Sequence, residues 1–207
     1  GRPKGAILTH FNLINAAKNL TEQEEMKKND DYFSFLPLSW VNEKVVSTVV
    51  PLIIGFATNF PEKPHTVMVD LREIGPQTLL APPRVYQSLM SNFIIRMEGA
   101  SWFKLKVYGL FKKYGDKKAV ADANNEVLSG MDKFMYFLGD AIIFSAIRDH
   151  LGLGRLRRAY VAGAALQQDA FHFYHSIGVN LKQTYGGTEV AGIAFVQPDR
   201  QIKSGSS

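Results

Sequence analysis

The sequence predicts an α/β fold in which parallel-rich sheets are covered by helices. The first observation behind this is the rhythm of the chain. Short apolar runs alternate with longer segments of helical period, and repeated strand-then-helix order calls for parallel pairing with both faces covered. The second is size and composition: 207 residues, 46% hydrophobic and 21% charged, can hold one sizeable core, so one domain is the default.

Taken in order, Thr9 is placed to cap a helix that buries Phe11, Ile14, Ala17 and Leu20. Residues 31–38 read as a strand that stops at Pro37, residues 41–54 as a helix in spite of their β-branched content, and residues 56–60 as a second short strand. Residues 67–74 read as a short helix. Residues 77–81 and 158–162 are strand segments followed by helices from Pro83 and from Gln167, and residues 180–184 read as a last short strand. No internal repeat or low-complexity block appears.

The stretch 101–151 departs from this rhythm and reads as a helical insertion. Phe103, Val107, Leu110, Phe111 and Tyr114 share one helical face, while Lys104, Lys106, Lys112, Lys113, Lys117 and Lys118 lie outside it. Two readings stay open for this basic helix: docking on acidic lipid headgroups, or packing on the core with a solvated lysine face. After the turn-like Asp122-Ala123-Asn124-Asn125, residues 131–151 make a second helix, apolar almost all round, with Phe134, Phe137, Leu138, Ile142, Phe144 and Ile147. Such a helix is expected to be mostly buried.

Zero cysteines exclude disulfides, thiolate metal sites and cysteine nucleophiles, and they fit a reducing, cytoplasmic setting. The longest apolar stretch, 45–57, is broken by Ser47, Thr48, Pro51 and Gly55 and is shorter than the ~18 residues of a membrane span. A net charge of +5 favours phosphate-rich ligands or peripheral contact with an anionic membrane. No aromatic-basic signature points to nucleic acid, which is not expected as a partner. Gly152-Leu153-Gly154-Arg155 precedes a strand instead of following one, so it is no dinucleotide fingerprint. His172 and His175 lack a further ligand and read as a surface pair rather than a zinc site.

The most informative run is Tyr185-Gly186-Gly187-Thr188-Glu189, just after the strand at 180–184, where a sheet meets a loop. A Tyr ring can stack on adenine, glycines let backbone amides approach phosphates, a Thr hydroxyl can bond a phosphate oxygen, and a Glu can hold a hard cation. A Gly-Gly turn between two strands is the plainer reading. Two further segments bear on the choice: Gly1-Arg2-Pro3-Lys4-Gly5 at the start, and Val161-Ala162-Gly163-Ala164-Ala165-Leu166 after the basic stretch 155–158.

In order and spacing these three segments resemble the adenylate-forming (AMP-binding) superfamily: the lysine end of its phosphate loop, its Gly-Ala adenine loop and its Tyr-Gly-x-Thr-Glu motif. Within it the chain is most similar to bacterial long-chain fatty acid–CoA ligases, through residues 35–43 (Phe-Leu-Pro-Leu-Ser-Trp-Val-Asn-Glu), 70–76, 80–86 and 180–183. The resemblance implies part of the large domain of such an enzyme, cut at both ends over residues 1–207, with no counterpart of the hinge and mobile C-terminal domain. The polar end, 201–207, reads as a connector or a cloning scar. The activity implied is ATP-dependent activation of a long-chain fatty acid to an acyl adenylate and then to acyl-CoA, with ATP, Mg²⁺ and CoA taking part. Transfer to a carrier protein and a non-catalytic nucleotide- or acyl-binding remnant are the alternatives, and these 207 residues alone are expected to be inactive.

By the same resemblance Lys4 belongs to the phosphate loop, Gly163, Ala164 and Ala165 flank the adenine, and Tyr185 stacks on it beside Gly186 and Gly187. Thr188 bonds the α-phosphate and Glu189 holds Mg²⁺. Trp40 stands where many relatives carry His, so channel wall and core residue are equally open readings for it. Ala81 and Pro82 lie where the family forms another wall of the acyl channel, and Glu43 matches a supporting Glu.

Overall fold

A computed structural model describes residues 4–199. Gly1, Arg2 and Pro3 of the first motif and the polar end 201–207 lie outside the described residues. Helix α1 (His10–Gln23) leads into strand β1 (Asp31–Phe33). A helical rod follows, made of α2 (Val41–Lys44), a π turn (Val45–Val49) and α3 (Val50–Ile54), and then β2 (Ala57–Asn59), α4 (Val67–Ile74), β3 (Thr78–Ala81) and α5 (Pro83–Glu98). Helices α6 (Trp102–Asn124), α7 (Gly130–Gly139) and α8 (Ser145–His150) come next, with a second π turn, Asp140–Phe144, between the last two. The chain returns to the sheet through β4 (Arg158–Val161), α9 (Gln168–Ser176), β5 (Leu181–Gly187) and β6 (Gly192–Val196).

The six strands form one sheet in the order β2-β1-β3-β4-β5-β6, parallel throughout except for β6, which pairs antiparallel with β5. Neighbouring side chains along the strands divide between two cores. Phe33, Leu79, Ala81, Ala159, Val161 and Leu181 face a core built with α4 to α9, while Tyr32, Leu80, Tyr160 and Ala162 face one built with α1 to α3. Burial on both faces is what makes the central strands read as continuous apolar runs.

Local chemistry sets the elements. Thr9 Oγ1 accepts a hydrogen bond from the Asn12 backbone N–H, and the Thr9 backbone N–H donates to Asn12 Oδ1, closing the capping box of α1. The buried side of α1 is Ala17, Leu20 and Thr21; Phe11 and Ile14 are exposed, contrary to expectation, because only the later turns of the helix rest on the protein. The first strand stops at Phe33 instead of 38, since a turn from Pro37 to Trp40 swings the chain into α2. Pro51 has no N–H for the carbonyl four residues back, and the ladder widens into the π turn just before it.

At the amino ends of the strands a buried ionic network ties the α1–β1 connection to the sheet. Lys182 Nζ sits 2.8 Å from Glu24 Oε2, the Tyr160 hydroxyl donates to the same oxygen, and Arg158 pairs with Asp30 at 2.7 Å. All four ions are nearly inaccessible, so each depends on its partner.

Residues 101–151 are helical as expected, but their exposure is not. In α6 the buried positions are Phe111, Gly115, Ala119 and Ala121; Phe103 and Leu110 face solvent, so the apolar stripe inferred from sequence is only partly a packing face. A Cβ at Gly115 would run into the Ser176 carbonyl, which shows how closely α6 crosses α9. In the second helical segment Phe144 and Ile147 are buried, yet Phe134, Phe137 and Ile142 are exposed. The segment touches α6 and the core along one side only, which overturns the expectation of general burial. No helix of the described residues is long and apolar enough to cross a membrane.

Candidate nucleotide and acyl site

Three adjacent parallel strands deliver three loops to one edge of the sheet. Ala81 at the end of β3 pairs with Val161 at the end of β4, and Val161 pairs with Gln183 of β5. Ala81-Pro82, the 162–165 loop and the 184–188 segment therefore emerge side by side at the carboxyl edge, where open parallel sheets bind ligands. Two hydrogen bonds hold them in place: Ala162 N–H donates to the Ala81 carbonyl at 3.3 Å, and Thr184 Oγ1 donates to the Val161 carbonyl at 2.9 Å.

Gly163, Ala164 and Ala165 are all exposed, and Gly163 adopts φ +90°, a left-handed backbone that favours glycine. The Trp40 ring lies 3.6 Å from where a Gly163 Cβ would stand, an ordinary contact distance, so the indole rests beside this glycine. Trp40 is 39% exposed and sits at the amino end of α2. It thus roofs the 163–165 loop and is not sealed in the core. Ala81 is wholly buried among the core residues beneath the helices, and Pro82 is buried too, so neither opens onto the edge as the acyl-wall expectation required.

The Tyr185–Glu189 run meets the edge differently from the sequence reading. β5 continues through Gly187 as a ribbon with β6, with a register shift at Tyr185/Gly186, and the turn itself is the 3₁₀ segment Thr188–Val190. Gly186 is required by the ribbon, because a Cβ there would collide with the Gly192 carbonyl. Tyr185 is 60% exposed and its ring centroid is 6.3 Å from that of Phe195 on β6, a second aromatic that sequence reasoning did not single out. Thr188 and Glu189 are exposed, and the Glu189 carboxylate folds back over Gly187.

Ile7 and Leu8, a few residues after Lys4, share a groove of about 810 Å³ with Glu189 and Val190, between α1 and the β5–β6 turn. The segment that follows Lys4 and the β5–β6 turn thus border one groove. Lys4 itself is exposed.

Beneath the site, Glu43 is completely buried and accepts hydrogen bonds of 2.5 Å from both Tyr32 Oη and Ser34 Oγ. Desolvation raises its pKa above the usual carboxylate value, while the two donors oppose the rise. Glu43 thus anchors the first turn of α2, on which Trp40 stands. Its neighbour Asn42, also unmarked by sequence reasoning, keeps a buried Oδ1 without a hydrogen-bond partner among the described residues, close to Gly192.

The two histidines of α9 differ in depth. His172 is 3.0 Å from Asp116, whereas His175 is buried, contrary to the expected surface pair, and its Nε2 lies 2.8 Å from the Leu181 carbonyl. Burial lowers the His175 pKa to about 4. Among the described residues no three His, Cys, Asp or Glu side chains gather to hold a metal.

Comparison with known proteins matches this geometry to a family. The description "AMP-binding enzyme" fits residues 1–207. The chain is 26% identical over 200 residues to rat long-chain-fatty-acid–CoA ligase ACSBG2, covering 93% of this chain and 29% of that protein. It is 25% identical over 207 residues to the peroxisomal long chain acyl-CoA synthetase 7 of Arabidopsis thaliana, covering 99% of this chain and 28% of that protein. The chain therefore spans under a third of the length of these relatives. In fold it is similar to a benzoate CoA ligase from Burkholderia xenovorans LB400, with a TM-score of 0.58 at 18% identity, over 98% of this chain and 32% of that one. Since the family description covers every residue, the chain belongs to the AMP-binding enzyme family.

Proposed function

We propose that this chain carries the adenylating site of a long-chain fatty acid–CoA ligase. In the reaction a fatty acid carboxylate attacks the α-phosphorus of ATP, the bond to pyrophosphate breaks, and the CoA sulfur then displaces AMP from the acyl carbon. The observation that carries the reading is the convergence of the exposed 163–165 loop, Tyr185 and Thr188-Glu189 at one carboxyl edge, with Trp40 over Gly163.

Roles follow from what each group offers. Tyr185 and the Gly163-Ala164-Ala165 loop bracket the adenine, Thr188 donates its hydroxyl to the α-phosphate, and Lys4 adds positive charge toward the leaving pyrophosphate. Gly186 and Gly187 keep the ribbon slim beside the nucleotide. Trp40 borders the acyl chain, with Ala81 and Pro82 packed behind that wall. A lone exposed carboxylate suits Mg²⁺, which takes one or two protein oxygens and completes its shell with phosphate and water, so Glu189 would hold it. When bound, that ion would offset charge on the phosphates. An anion is driven onto a polyanion, so orientation and charge neutralisation are the main demands on the protein.

Palmitate-dependent pyrophosphate release from MgATP by the full-length protein tests the reading, with Glu189→Gln as the diagnostic variant. Loss of a full charge at a Mg²⁺ ligand is expected to lower the rate about 100-fold or more with the thermal melt unchanged. A variant as fast as the parent would remove Glu189 from the mechanism. Adding CoA separates the acceptors: adenylate that forms but does not pass to the added CoA would point to a carrier protein.

A further inference from the structure

The first half of α6, residues 102–113, holds Lys104, Lys106, Lys112 and Lys113 and no acidic residue. Every residue from Trp102 to Lys106 is exposed, with Trp102 at 69% and Phe103 at 63%, so this end of the helix stands clear of the core. Lys106 Nζ lies 5.1 Å from the centre of the Trp102 ring. Lys104, Lys106 and Lys113 make no ion pair among the described residues, whereas Asp116, Asp122, Asp132 and Asp140 of the same region are each held by a cation. Helix α7 runs back along α6, as the Lys117–Asp132 pair and the packing of Phe111 on Gly139 show, and its exposed Met131, Phe134 and Phe137 lie beside the second half of α6, further along from Trp102 and Phe103.

We propose that the start of α6, together with the exposed apolar residues of α7, is a docking surface for an anionic lipid bilayer. Large aromatic side chains beside unpaired lysines, with Asp116, Asp122, Asp132 and Asp140 each paired, match a bilayer surface: rings settle among the headgroups and ammonium groups meet lipid phosphates and carboxylates. A protein partner is the poorer fit, since the centres of protein interfaces are depleted in lysine. The inference does not depend on what binds at the sheet edge.

The test is co-sedimentation of the full chain with vesicles of phosphatidylcholine and phosphatidylserine, beside vesicles of phosphatidylcholine alone. Binding is expected only to the anionic vesicles, weakened by salt, and about 30-fold weaker in Lys104→Gln/Lys106→Gln, while Lys27→Gln/Lys63→Gln on other surfaces binds like the parent. In a Trp40→Phe background the remaining Trp102 is expected to shift its emission to the blue on binding. Equal binding to neutral vesicles, an unshifted Trp102, or parent-like binding of Lys104→Gln/Lys106→Gln would overturn the proposal. So would a concentration-dependent oligomer abolished by Phe134→Ser/Phe137→Ser, which would assign the face to a second copy.

Discussion

Trp40 shows how far a single residue's role can be read before its neighbours are known. Sequence left it divided between channel wall and core; in the fold it is part-exposed, perched on α2 and resting over Gly163. A side chain there borders the space beside the adenine loop, so Trp40→Ala is expected to change the relative rates for fatty acids of different length. An unchanged chain-length profile in a merely less stable protein would return Trp40 to a packing role. His175 carries a second expectation. Its folded pKa of about 4 lies below the unfolded value of 6.5, so it supports the fold fully above pH 6.5 and loses that support as pH falls toward 4. Thermal melts across this window should fall more steeply for the parent than for His175→Phe. Parallel curves would show that His175 is not the titrating group. The buried His175 was unreadable from sequence because its spacing from His172 reports a shared helix side and not depth.

At the scale of elements, punctuation made some segments legible. Gly75 at φ +54° closes α4 where expected, and Pro83 opens α5. What sequence could not supply was the direction of apolar faces in α6 and α7, since an apolar pattern is the same whether protein, lipid or water lies opposite. Nor did Gly186-Gly187 reveal that the strand runs through them: glycine marks a turn and a close backbone approach alike, and here the Gly192 carbonyl makes it the latter. Gly115 is the tightest helix crossing in this sense. Because α6 meets the Ser176 carbonyl there, Gly115→Ala should cost about 1–3 kcal/mol in urea unfolding. A neutral outcome would mean that the α6–α9 contact yields easily.

For the whole molecule, the alternation of strand and helix was enough to foresee a mostly parallel sheet. The sheet order and the antiparallel β6 were not foreseen, because pairing between distant strands leaves no periodic trace in the sequence. The architecture separates tasks: a buried ionic network fixes the amino ends of the strands, while the carboxyl ends stay open and carry the exposed motif residues. The central claim is that adenine is held at that open edge. Photolabelling with 8-azido-ATP, followed by mass spectrometric mapping, tests it most directly. The expected result is ATP-competable label at Tyr185 or within residues 163–165, whereas label confined to α5 or α6, or label that ATP does not displace, would contradict it.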